Sequence, residues 1–224
     1  MAEPRPGTEI AVLAKAPIPG FAKTRLVARL GADGAARLQA VLTEHAVRTA
    51  LAAGLGTVTL WCTPDTRHPA FAALAQRTGV ALKAQRGADL GARMAHAVAE
   101  RAGRGPVLLT GTDCPALTPG HLRAAAAALE GGDEVVLIPA EDGGYVLVGL
   151  MESHPALFEG VPWGSDRVIG VTRGRLRALG LRWSEPTTLW DLDRPADLDR
   201  LATLPLGYLA DPGFMNNLNV KTVV

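Results

Sequence analysis

Short apolar runs alternate with helix-like segments along most of this chain. Apolar runs bounded by Gly, Pro or polar residues predict buried strands. The segments between them repeat apolar residues three and four positions apart, which is typical of helices that pack on one face. Strands are predicted at residues 10–15, 57–62, 80–85, 106–110, 134–140, 145–150 and 181–185. Helices are predicted after Asp33 and over residues 69–77, 89–101, 121–130, 166–179 and 195–201.

The order of these elements indicates the fold class. Regular alternation with short connections predicts an α/β fold, a doubly wound and mainly parallel sheet with helices on both faces. The strands at 134–140 and 145–150 are separated by Glu-Asp-Gly-Gly, a turn too short for a helical crossover, so they are expected to pair antiparallel. Residues 1–205 are expected to form a single domain. The tail at 206–224 shows no clear period, which leaves an edge strand, an oligomer arm and disorder open.

The composition fits a globular protein and argues against some partners. Of the 224 residues, 48% are hydrophobic and 20% are charged, and the net charge is +1. This balance implies no overall attraction to nucleic acid or to a membrane surface. No apolar run approaches the ~18 residues of a membrane span, and the N-terminus lacks the apolar core of a signal peptide. A cytoplasmic location is therefore expected.

The loop after the first predicted strand is a candidate phosphate site. Residues 10–30 contain four basic side chains and no acidic one. The loop lacks the Gly-Lys-Ser/Thr ending of a Walker A motif and the glycine spacing of a dinucleotide fingerprint. Basic side chains and backbone N–H groups at a helix start still suit a pyrophosphate, with a solvated helix face as the alternative. The residues that would contribute are Lys15, Pro17, Gly20, Lys23, Thr24 and Arg25.

Three aspartates follow or precede elements in a way that suits chemistry. Asp113 lies just past the strand at 106–110, at the edge where open α/β sheets bind ligands. A carboxylate there suits a divalent cation, although capping of a turn or of the next helix is an ordinary alternative. Asp191 and Asp193 precede a helix that begins at Pro195. Helix capping explains one of these two aspartates and does not readily explain both.

Two glycine-containing loops carry further candidates. In the predicted hairpin turn, two acidic residues precede two glycines, which permit positive φ or the close approach of a ligand. An ordinary hairpin turn explains the same residues. A second loop joins a glycine to a helix start and offers side chains for a base or a ribose. The candidates are Glu141, Asp142, Gly143, Gly144 and Tyr145 in the first loop, and Gln85 and Asp89 in the second.

Taken together, these segments resemble a known family. Their order is similar to that in the bacterial DUF2064 family of the nucleotide-diphospho-sugar transferase (GT-A) superfamily: AKAPIPGFAKTRL, QRGADLGARM, LLTGTDCPALT, PAEDGGYVLVGL, PWGSD and DLDRPADL. The likeness extends from about residue 9 to residue 203. The first loop is also similar to that of phospholactate guanylyltransferases, and the superfamily includes the molybdenum-cofactor guanylyltransferases. The resemblance implies a Rossmann-like GT-A fold that binds a nucleotide or nucleotide-sugar with Mg²⁺ or Mn²⁺.

The resemblance also implies roles for individual residues. Asp113 and Asp193 match the two metal ligands, Lys15, Lys23 and Arg25 match the phosphate loop, and residues 142–145 match the acceptor-side segment. Asp142, Lys23 and Arg25 are the candidate catalytic residues. Two departures occur: residues 163–166 read Trp-Gly-Ser-Asp where the family usually has Trp-Ser-Thr, and an Arg replaces the Thr after the second metal ligand. The first departure concerns the identity of the acceptor. The candidate nucleotide contacts are Lys15, Pro17, Gly20, Lys23, Thr24, Arg25, Gln85, Asp89 and Thr112, and the candidate acceptor contacts are Glu141, Asp142, Gly143, Gly144, Tyr145, Trp163 and Ser165.

Two reactions and one non-catalytic role are compatible with these residues. Transfer of a sugar to a hydroxyl with inversion requires a carboxylate base, for which Asp142 is the first candidate and Glu141 the second. Transfer of a nucleotidyl group to a small phosphorylated acceptor requires alignment and charge neutralisation by the metal, Lys23 and Arg25. A non-catalytic nucleotide-sugar binder is expected to have lost a metal-binding aspartate, and both are present. The glycine-poor first loop favours a nucleotide-sugar donor, and a homodimer remains open.

Overall fold

The protein folds around a seven-stranded mixed sheet, in a computed structural model that describes residues 7–101 and 103–201. The strand order is β3-β2-β1-β4-β6-β5-β7. The strands are β1 (Glu9–Lys15), β2 (Val58–Thr63), β3 (Ala81–Ala84), β4 (Val107–Thr110), β5 (Val135–Pro139), β6 (Tyr145–Leu150) and β7 (Trp183–Ser184). The helices are α1 (Val27–Ala53), α2 (Pro69–Thr78), α3 (Leu90–Ala99), α4 (Pro119–Glu130), α5 (Val168–Ala178) and α6 (Asp197–Leu201). The predicted tail at 206–224 lies outside the described residues.

Strand pairing confirms the predicted fold class. β1 pairs in parallel with β2 and with β4, β2 pairs in parallel with β3, and β5 pairs in parallel with β7. β6 is antiparallel to both of its neighbours, β4 and β5. The antiparallel pair predicted from the four-residue turn is therefore present. The sheet is mainly parallel on one side of β4 and contains a single reversed strand on the other, among the residues described.

The strand order creates a crevice at the middle of the sheet. From β1 the chain first builds outward through β2 and β3, then returns to place β4 on the opposite side of β1. The loops that leave β1 and β4 consequently separate in opposite directions. Open α/β sheets bind ligands at such a point, beyond the carboxyl ends of the strands.

Two apolar layers cover the faces of the sheet. Alternate side chains of a strand point to opposite faces, and in β1 the buried Ile10 and Val12 pack in the layer beneath α1, α2 and α4. The intervening Ala11 and Leu13 pack in the layer beneath α3 and α5. This arrangement accounts for the nearly continuous apolar runs of the central strands. No helix in the described part of the chain combines the length and the hydrophobicity needed to cross a bilayer.

A third apolar cluster, here named the terminal cluster, joins the first half of α1 to the C-terminal part of the described chain. Its members come from the turn before α1, the middle of α1, the segment at 189–193 and α6. α1 begins at Val27, earlier than the start predicted near Asp33, and it is interrupted at Gly31, where φ is 70°. The cluster consists of Leu26, Leu38, Leu42, Trp190, Leu192, Leu198 and Leu201. Its packing brings the first loop next to the segment at 189–193.

Candidate active site

A cavity of about 420 Å³ opens at the carboxyl ends of β1 and β4. It lies at the crevice that the strand order creates. Its walls come from the ends of these strands, from the turn between β5 and β6, and from the segment at 189–193. The predicted site residues that line it are Lys15, Gln85, Thr112, Asp113, Asp142, Gly144, Tyr145, Trp163, Ser165 and Asp193.

The end of β4 positions Asp113. β4 ends at Thr110, whose hydroxyl donates a hydrogen bond to the Val146 carbonyl of β6 at 2.9 Å. Three residues later, the carbonyl of Asp113 accepts a hydrogen bond from the N–H of Leu192 at 2.7 Å. The Asp113 side chain is 46% exposed. Asp113 is thus joined through the backbone to the segment that carries the other predicted metal ligand, and its carboxylate faces the cavity.

The segment at 189–193 presents two more carboxylates to the cavity. It is held beside the end of β5 by a parallel backbone bridge. Trp190 and Leu192 are buried in the terminal cluster. Asp191 and Asp193, which alternate with them, line the cavity. In an extended segment, alternate residues face the same side, so burial of one pair directs the other pair toward the opening.

The start of α6 is tied to the segment that precedes it. The Asp197 carboxylate accepts hydrogen bonds from the N–H of Asp193 at 3.0 Å and from the N–H of Arg194 at 2.7 Å. These donors lie just before α6, so the bonds tie the segment at 189–193 to the first residue of the helix. Among the described residues, no hydrogen bond from a backbone N–H of α6 to the side chain of Asp191 or Asp193 is recorded, so a helix cap does not account for these two carboxylates.

Lys23 lies between the two predicted metal ligands. Its Nζ is 2.7 Å from Asp113 Oδ1 and 3.2 Å from Asp193 Oδ1, and it also donates a hydrogen bond to the Leu192 carbonyl. Its side chain is only 4% exposed. Burial disfavours the charged ammonium, but the two carboxylates outweigh burial, and the pKa of Lys23 is raised. The Lys23 backbone is left-handed, with φ of 49°, which costs a residue with a Cβ about 1–2 kcal/mol. Such strain is concentrated at functional sites.

The remaining residues of the first loop are more dispersed than the sequence predicted. Arg25 is 59% exposed, and its Nη1 is 3.4 Å from Asp193 Oδ2. Lys15 lines the cavity at the end of β1. Pro17 instead lines a separate groove between α1 and α2. The described residues that line the cavity do not include Gly20, Lys23, Thr24 or Arg25. Lys23 and Arg25 are nevertheless connected to the site, because both contact the carboxylate of Asp193, which lines the cavity.

Asp191 is one of four carboxylates that line the cavity, and the sequence assigned it no role. Burial raises its pKa to about 7, and the neighbouring Asp113, Asp142 and Asp193 add to the shift. The available signal was the Asp-x-Asp spacing around an apolar residue, which directs both carboxylates to one face of an extended segment.

The turn between β5 and β6 separates its two acidic residues. Asp142 lines the cavity, and its Oδ1 accepts a hydrogen bond from the N–H of Gly144 at 3.0 Å. Glu141 instead forms a salt bridge with Arg200 of α6 at 2.7 Å, and this contact lowers the pKa of Glu141. Glu141 is not among the described residues that line the cavity. The geometry favours Asp142 over Glu141 as the candidate base.

Gly143 fixes the conformation of this turn. Its φ is 92°, and a Cβ at this position would collide with the backbone of Asp166. The Gly143 carbonyl accepts a hydrogen bond from the N–H of Ile169 at 2.9 Å. Gly143, predicted as an acceptor contact, is outside the described lining of the cavity and serves to pack the turn against the start of α5. This packing determines where Asp142 is held.

An aromatic wall bounds the part of the cavity that contains the predicted acceptor contacts. The rings of Tyr145 and Trp163 meet edge to face, with centroids 6.1 Å apart. The Tyr145 hydroxyl contacts the Met94 sulfur at 3.9 Å, and burial raises the pKa of Tyr145. The Ser165 hydroxyl donates a hydrogen bond to the Pro162 carbonyl at 2.7 Å, within its own turn. The wall is therefore largely apolar, and the Ser165 hydroxyl already has an internal partner.

Two predicted nucleotide contacts have structural partners. The Gln85 side-chain amide donates hydrogen bonds to the carbonyls of Ala14 at 3.2 Å and of Trp61 at 2.8 Å, which ties the end of β3 to β1 and β2. Asp89 accepts a hydrogen bond from the N–H of Ala92 at 2.8 Å and caps α3. Asp89 is not among the described residues that line the cavity, so capping accounts for it. Gln85 remains at the cavity wall.

A buried polar chain connects α1 to Asp113. Gln39 Nε2 donates hydrogen bonds to the hydroxyls of Thr112 at 3.0 Å and of Thr43 at 3.2 Å. The Thr112 hydroxyl in turn contacts Asp113 Oδ1 at 3.4 Å. The sequence did not identify Gln39, because a single polar residue on a helix carries no signal of its distant partner.

The residues present fit a divalent cation that is held by few protein ligands. Asp113 and Asp193 approach one cationic group, the Lys23 ammonium, from two sides. Carboxylate oxygens are hard ligands suited to Mg²⁺ or Mn²⁺. Within residues 7–101 and 103–201, no group of three or more Asp, Glu, His or Cys side chains is arranged to hold a metal. Mg²⁺ commonly binds through one or two carboxylates, with substrate phosphates and water completing its shell.

Three solved structures define the class of fold. A protein from Desulfovibrio desulfuricans G20, provisionally named a nucleotide-diphospho-sugar transferase, is 27% identical, with a TM-score of 0.81 over 94% of this chain and 93% of that chain. A nucleotidyl transferase from Methanothermobacter thermautotrophicus is 17% identical, with a TM-score of 0.57 over 87% and 95% of the two chains. Glucosyl-3-phosphoglycerate synthase from Mycobacterium tuberculosis, in complex with Mn²⁺, UDP and glucosyl-3-phosphoglycerate, is 12% identical, with a TM-score of 0.53 over 93% and 82%. The fold is thus the GT-A-like fold of nucleotidyl and glycosyl transferases.

The chain belongs to the DUF2064 family, described as an uncharacterized protein conserved in bacteria, whose model matches residues 46–165. This confirms the resemblance seen in the sequence. The matched range includes Asp113 and Asp142 but ends before Asp193. A comparison with curated proteins gives no match.

Proposed function

We propose that the protein is a metal-dependent glycosyltransferase that takes a nucleotide-sugar donor and transfers the sugar to a hydroxyl of a small acceptor. The observation that carries this proposal is the approach of Asp113 and Asp193 to one cationic position, in a cavity that also contains Asp142. The name of the Desulfovibrio protein supports a nucleotide-diphospho-sugar as donor. The UDP and Mn²⁺ in the mycobacterial synthase are compatible with the same chemistry on this fold.

The donor would bind on the side of the cavity formed by β1 and β4. Lys15 and Gln85 would contact the nucleotide, and the exposed Arg25 would pair with its diphosphate. A bound Mg²⁺ or Mn²⁺, held by Asp113 and Asp193, would supply neutralisation of the negative charge that develops on the departing diphosphate. The site's own contribution is to align the donor so that its anomeric carbon faces the turn between β5 and β6.

The acceptor would bind between that turn and the aromatic wall. The N–H of Gly144 holds one carboxylate oxygen of Asp142, and the carboxylate would accept the proton of the attacking hydroxyl. Tyr145 and Trp163 would flank the acceptor and limit the access of water, which protects the donor from hydrolysis. We therefore assign Asp142 the role of general base in an inverting transfer.

Nucleotidyl transfer to a phosphorylated acceptor is the second candidate. The basic residues Lys15, Lys23 and Arg25 near one end of the cavity favour it, because a triphosphate carries more charge than a diphospho-sugar. A phosphate acceptor is already ionised, so this reaction needs no general base. The two candidates therefore differ in their dependence on Asp142. A non-catalytic nucleotide-sugar binder would need neither the base nor a reactive acceptor.

The test begins with a binding screen of nucleoside diphosphates, triphosphates and nucleotide-sugars in the presence of Mn²⁺. Turnover of the best donor with candidate acceptors is then measured for the wild type and for Asp142→Asn. For sugar transfer, the variant should lose on the order of 10²–10⁴ in rate, the usual contribution of a general base. Donor binding should be retained. Glu141→Gln is the matched control, because this neighbouring carboxylate pairs with Arg200 outside the cavity lining.

The possible outcomes separate the candidates. A preference for triphosphates, with a near-wild-type rate for Asp142→Asn, would reject sugar transfer and favour nucleotidyl transfer. An equal loss in Asp142→Asn and Glu141→Gln would reject the assignment of Asp142 as the base. Tight binding of nucleotide-sugars without turnover of any acceptor would favour the binder. Asp113→Asn should abolish the dependence of donor binding on Mn²⁺ in either enzymatic case.

A further inference from the structure

The Lys23 ammonium contacts the same two carboxylate oxygens that a shared metal ion would use. Its distances to Asp113 Oδ1 and Asp193 Oδ1 are 2.7 and 3.2 Å. Oxygen ligands of divalent cations lie at about 2.0–2.6 Å, so a metal bound to both oxygens would lie within about 5 Å of the ammonium. Two positive charges at that distance repel each other and compete for the same oxygens.

The contact is part of the fold and not an accidental surface pair. The Lys23 side chain is 4% exposed, whereas that of Arg25, which also contacts Asp193, is 59% exposed. Lys23 also reaches the carbonyl of Leu192, a residue of the terminal cluster. Its backbone adopts the left-handed conformation that directs the chain into the turn before α1. The buried side chain and the left-handed backbone of Lys23 therefore hold its ammonium beside the two carboxylates.

We propose that Lys23 is an internal counter-ion that keeps Asp113 and Asp193 together in the metal-free protein and is displaced when a divalent cation binds. The inference rests on the metal dependence in the proposed function. It adds that the Lys23 ammonium competes with the divalent cation for the two carboxylates, and that this competition sets the affinity for the metal. Lys23 neutralises Asp113 and Asp193, which would otherwise repel each other and the nearby Asp191. Once displaced, its ammonium becomes a ligand for the donor phosphates, so that binding of the metal and of the nucleotide is coupled through one side chain.

The competition is tested by titrating Mn²⁺ alone into the wild type and Lys23→Met, with calorimetry and with the electron paramagnetic resonance signal of free Mn²⁺. Met keeps the length of the side chain and removes the competing charge. The variant should bind Mn²⁺ about tenfold more tightly, the gain expected if the wild-type carboxylates are free of Lys23 about a tenth of the time. Lys23→Arg, which keeps the charge, should show no such gain.

Lys15→Met is the matched control for a general effect of charge. Lys15 lines the same cavity, and the described structure records no ion pair between it and either aspartate. Removing its charge should change the affinity for Mn²⁺ much less than Lys23→Met does. Weaker or unchanged binding in Lys23→Met, or an equal gain in Lys15→Met, would overturn the proposal. These titrations contain no nucleotide, so a failure to find any transferase activity leaves their result intact.

Thermal unfolding provides a second measurement if Lys23→Met folds less well. Without metal and with a chelator present, the variant should melt at a lower temperature than the wild type, because its carboxylates lose their counter-ion. A fixed concentration of Mn²⁺ should then raise its melting temperature by more than it raises that of the wild type, since tighter binding gives greater stabilisation. An equal or smaller rise in the variant would contradict displacement of Lys23.

Discussion

Replacement of Asp191 by Asn should stabilise the metal-free protein at alkaline pH. Asp191 lies in the cavity beside Asp113, Asp142 and Asp193, and burial together with these carboxylates raises its pKa to about 7. Above that pH, Asp191 of the wild type is ionised, and its negative charge lies beside those of the other three carboxylates. Asn retains the shape and the hydrogen-bonding reach of the side chain without the charge. The expected gain in the free energy of unfolding therefore appears only as the pH rises.

The magnitude follows from the shift of the pKa. The ordinary value for Asp is 3.8, so between about pH 4 and pH 7 the folded protein keeps a proton that the unfolded chain releases. This contribution favours folding at low pH and is lost as the pH rises through about 7. From about pH 5.5 to about pH 8, the loss is roughly 1.5 pKa units, or about 2 kcal/mol. Water in the open cavity screens the repulsion, so we expect about 1–2 kcal/mol.

The measurement is urea unfolding followed by tryptophan fluorescence, with a chelator present, at about pH 5.5 and about pH 8. The stability of Asp191→Asn minus that of the wild type should be larger at the higher pH. Glu159→Gln, which removes an exposed carboxylate, is the control for a general effect of charge. The same pH dependence in the wild type and Asp191→Asn would show that Asp191 is already ionised at low pH, and the argument from burial would be refuted.

Two further predictions concern packing around the site. Gly91→Ala should destabilise the fold by about 1–3 kcal/mol, because a Cβ would collide with the Phe158 carbonyl, whereas Gly174→Ala in α5 meets nothing and should stabilise by up to about 1 kcal/mol. Equal effects of these two changes on the free energy of unfolding in urea would contradict the close approach of the Phe158 carbonyl to Gly91. Gln39→Leu removes the donor to the buried Thr112 hydroxyl and should cost about 1–3 kcal/mol. A change within experimental error would show that this hydrogen bond does not stabilise the fold.

The sheet was predictable because its signal is local. Each central strand is a short apolar run that ends at Gly, Pro or a polar residue, and the turn at 141–144 is too short for any crossover. The position of Asp113 follows from the same rule, since Asp113 comes shortly after a predicted strand that ends at the central crevice. Asp193 precedes a predicted helix, and its place beside Asp113 was an implication of the family resemblance.

The detailed contacts of the site depend on packing that no local pattern encodes. Lys23 reaches the two aspartates because the terminal cluster docks the start of α1 on the segment at 189–193. The neighbours Glu141 and Asp142 differ because the salt bridge with Arg200 removes only the first from the cavity. The structure shows Asp89 capping α3. The sequence could not distinguish this role from a contact with a ribose, since both place an Asp directly before a helix.

The contact between Lys23 and Asp193 joins residues 170 positions apart in the chain. During synthesis, a polypeptide that has emerged as far as β6 contains nearly all of the sheet, but it lacks the second carboxylate and the Trp190 and Leu192 side chains that dock it. Contacts of such long range are formed late, because the entropy of closing the loop must be overcome before they contribute. Under the proposed function, a nascent or proteolytically shortened chain with an intact sheet would therefore be unable to bind metal and donor together. The proposed activity would begin only when the first loop and the segment at 189–193 have come into contact.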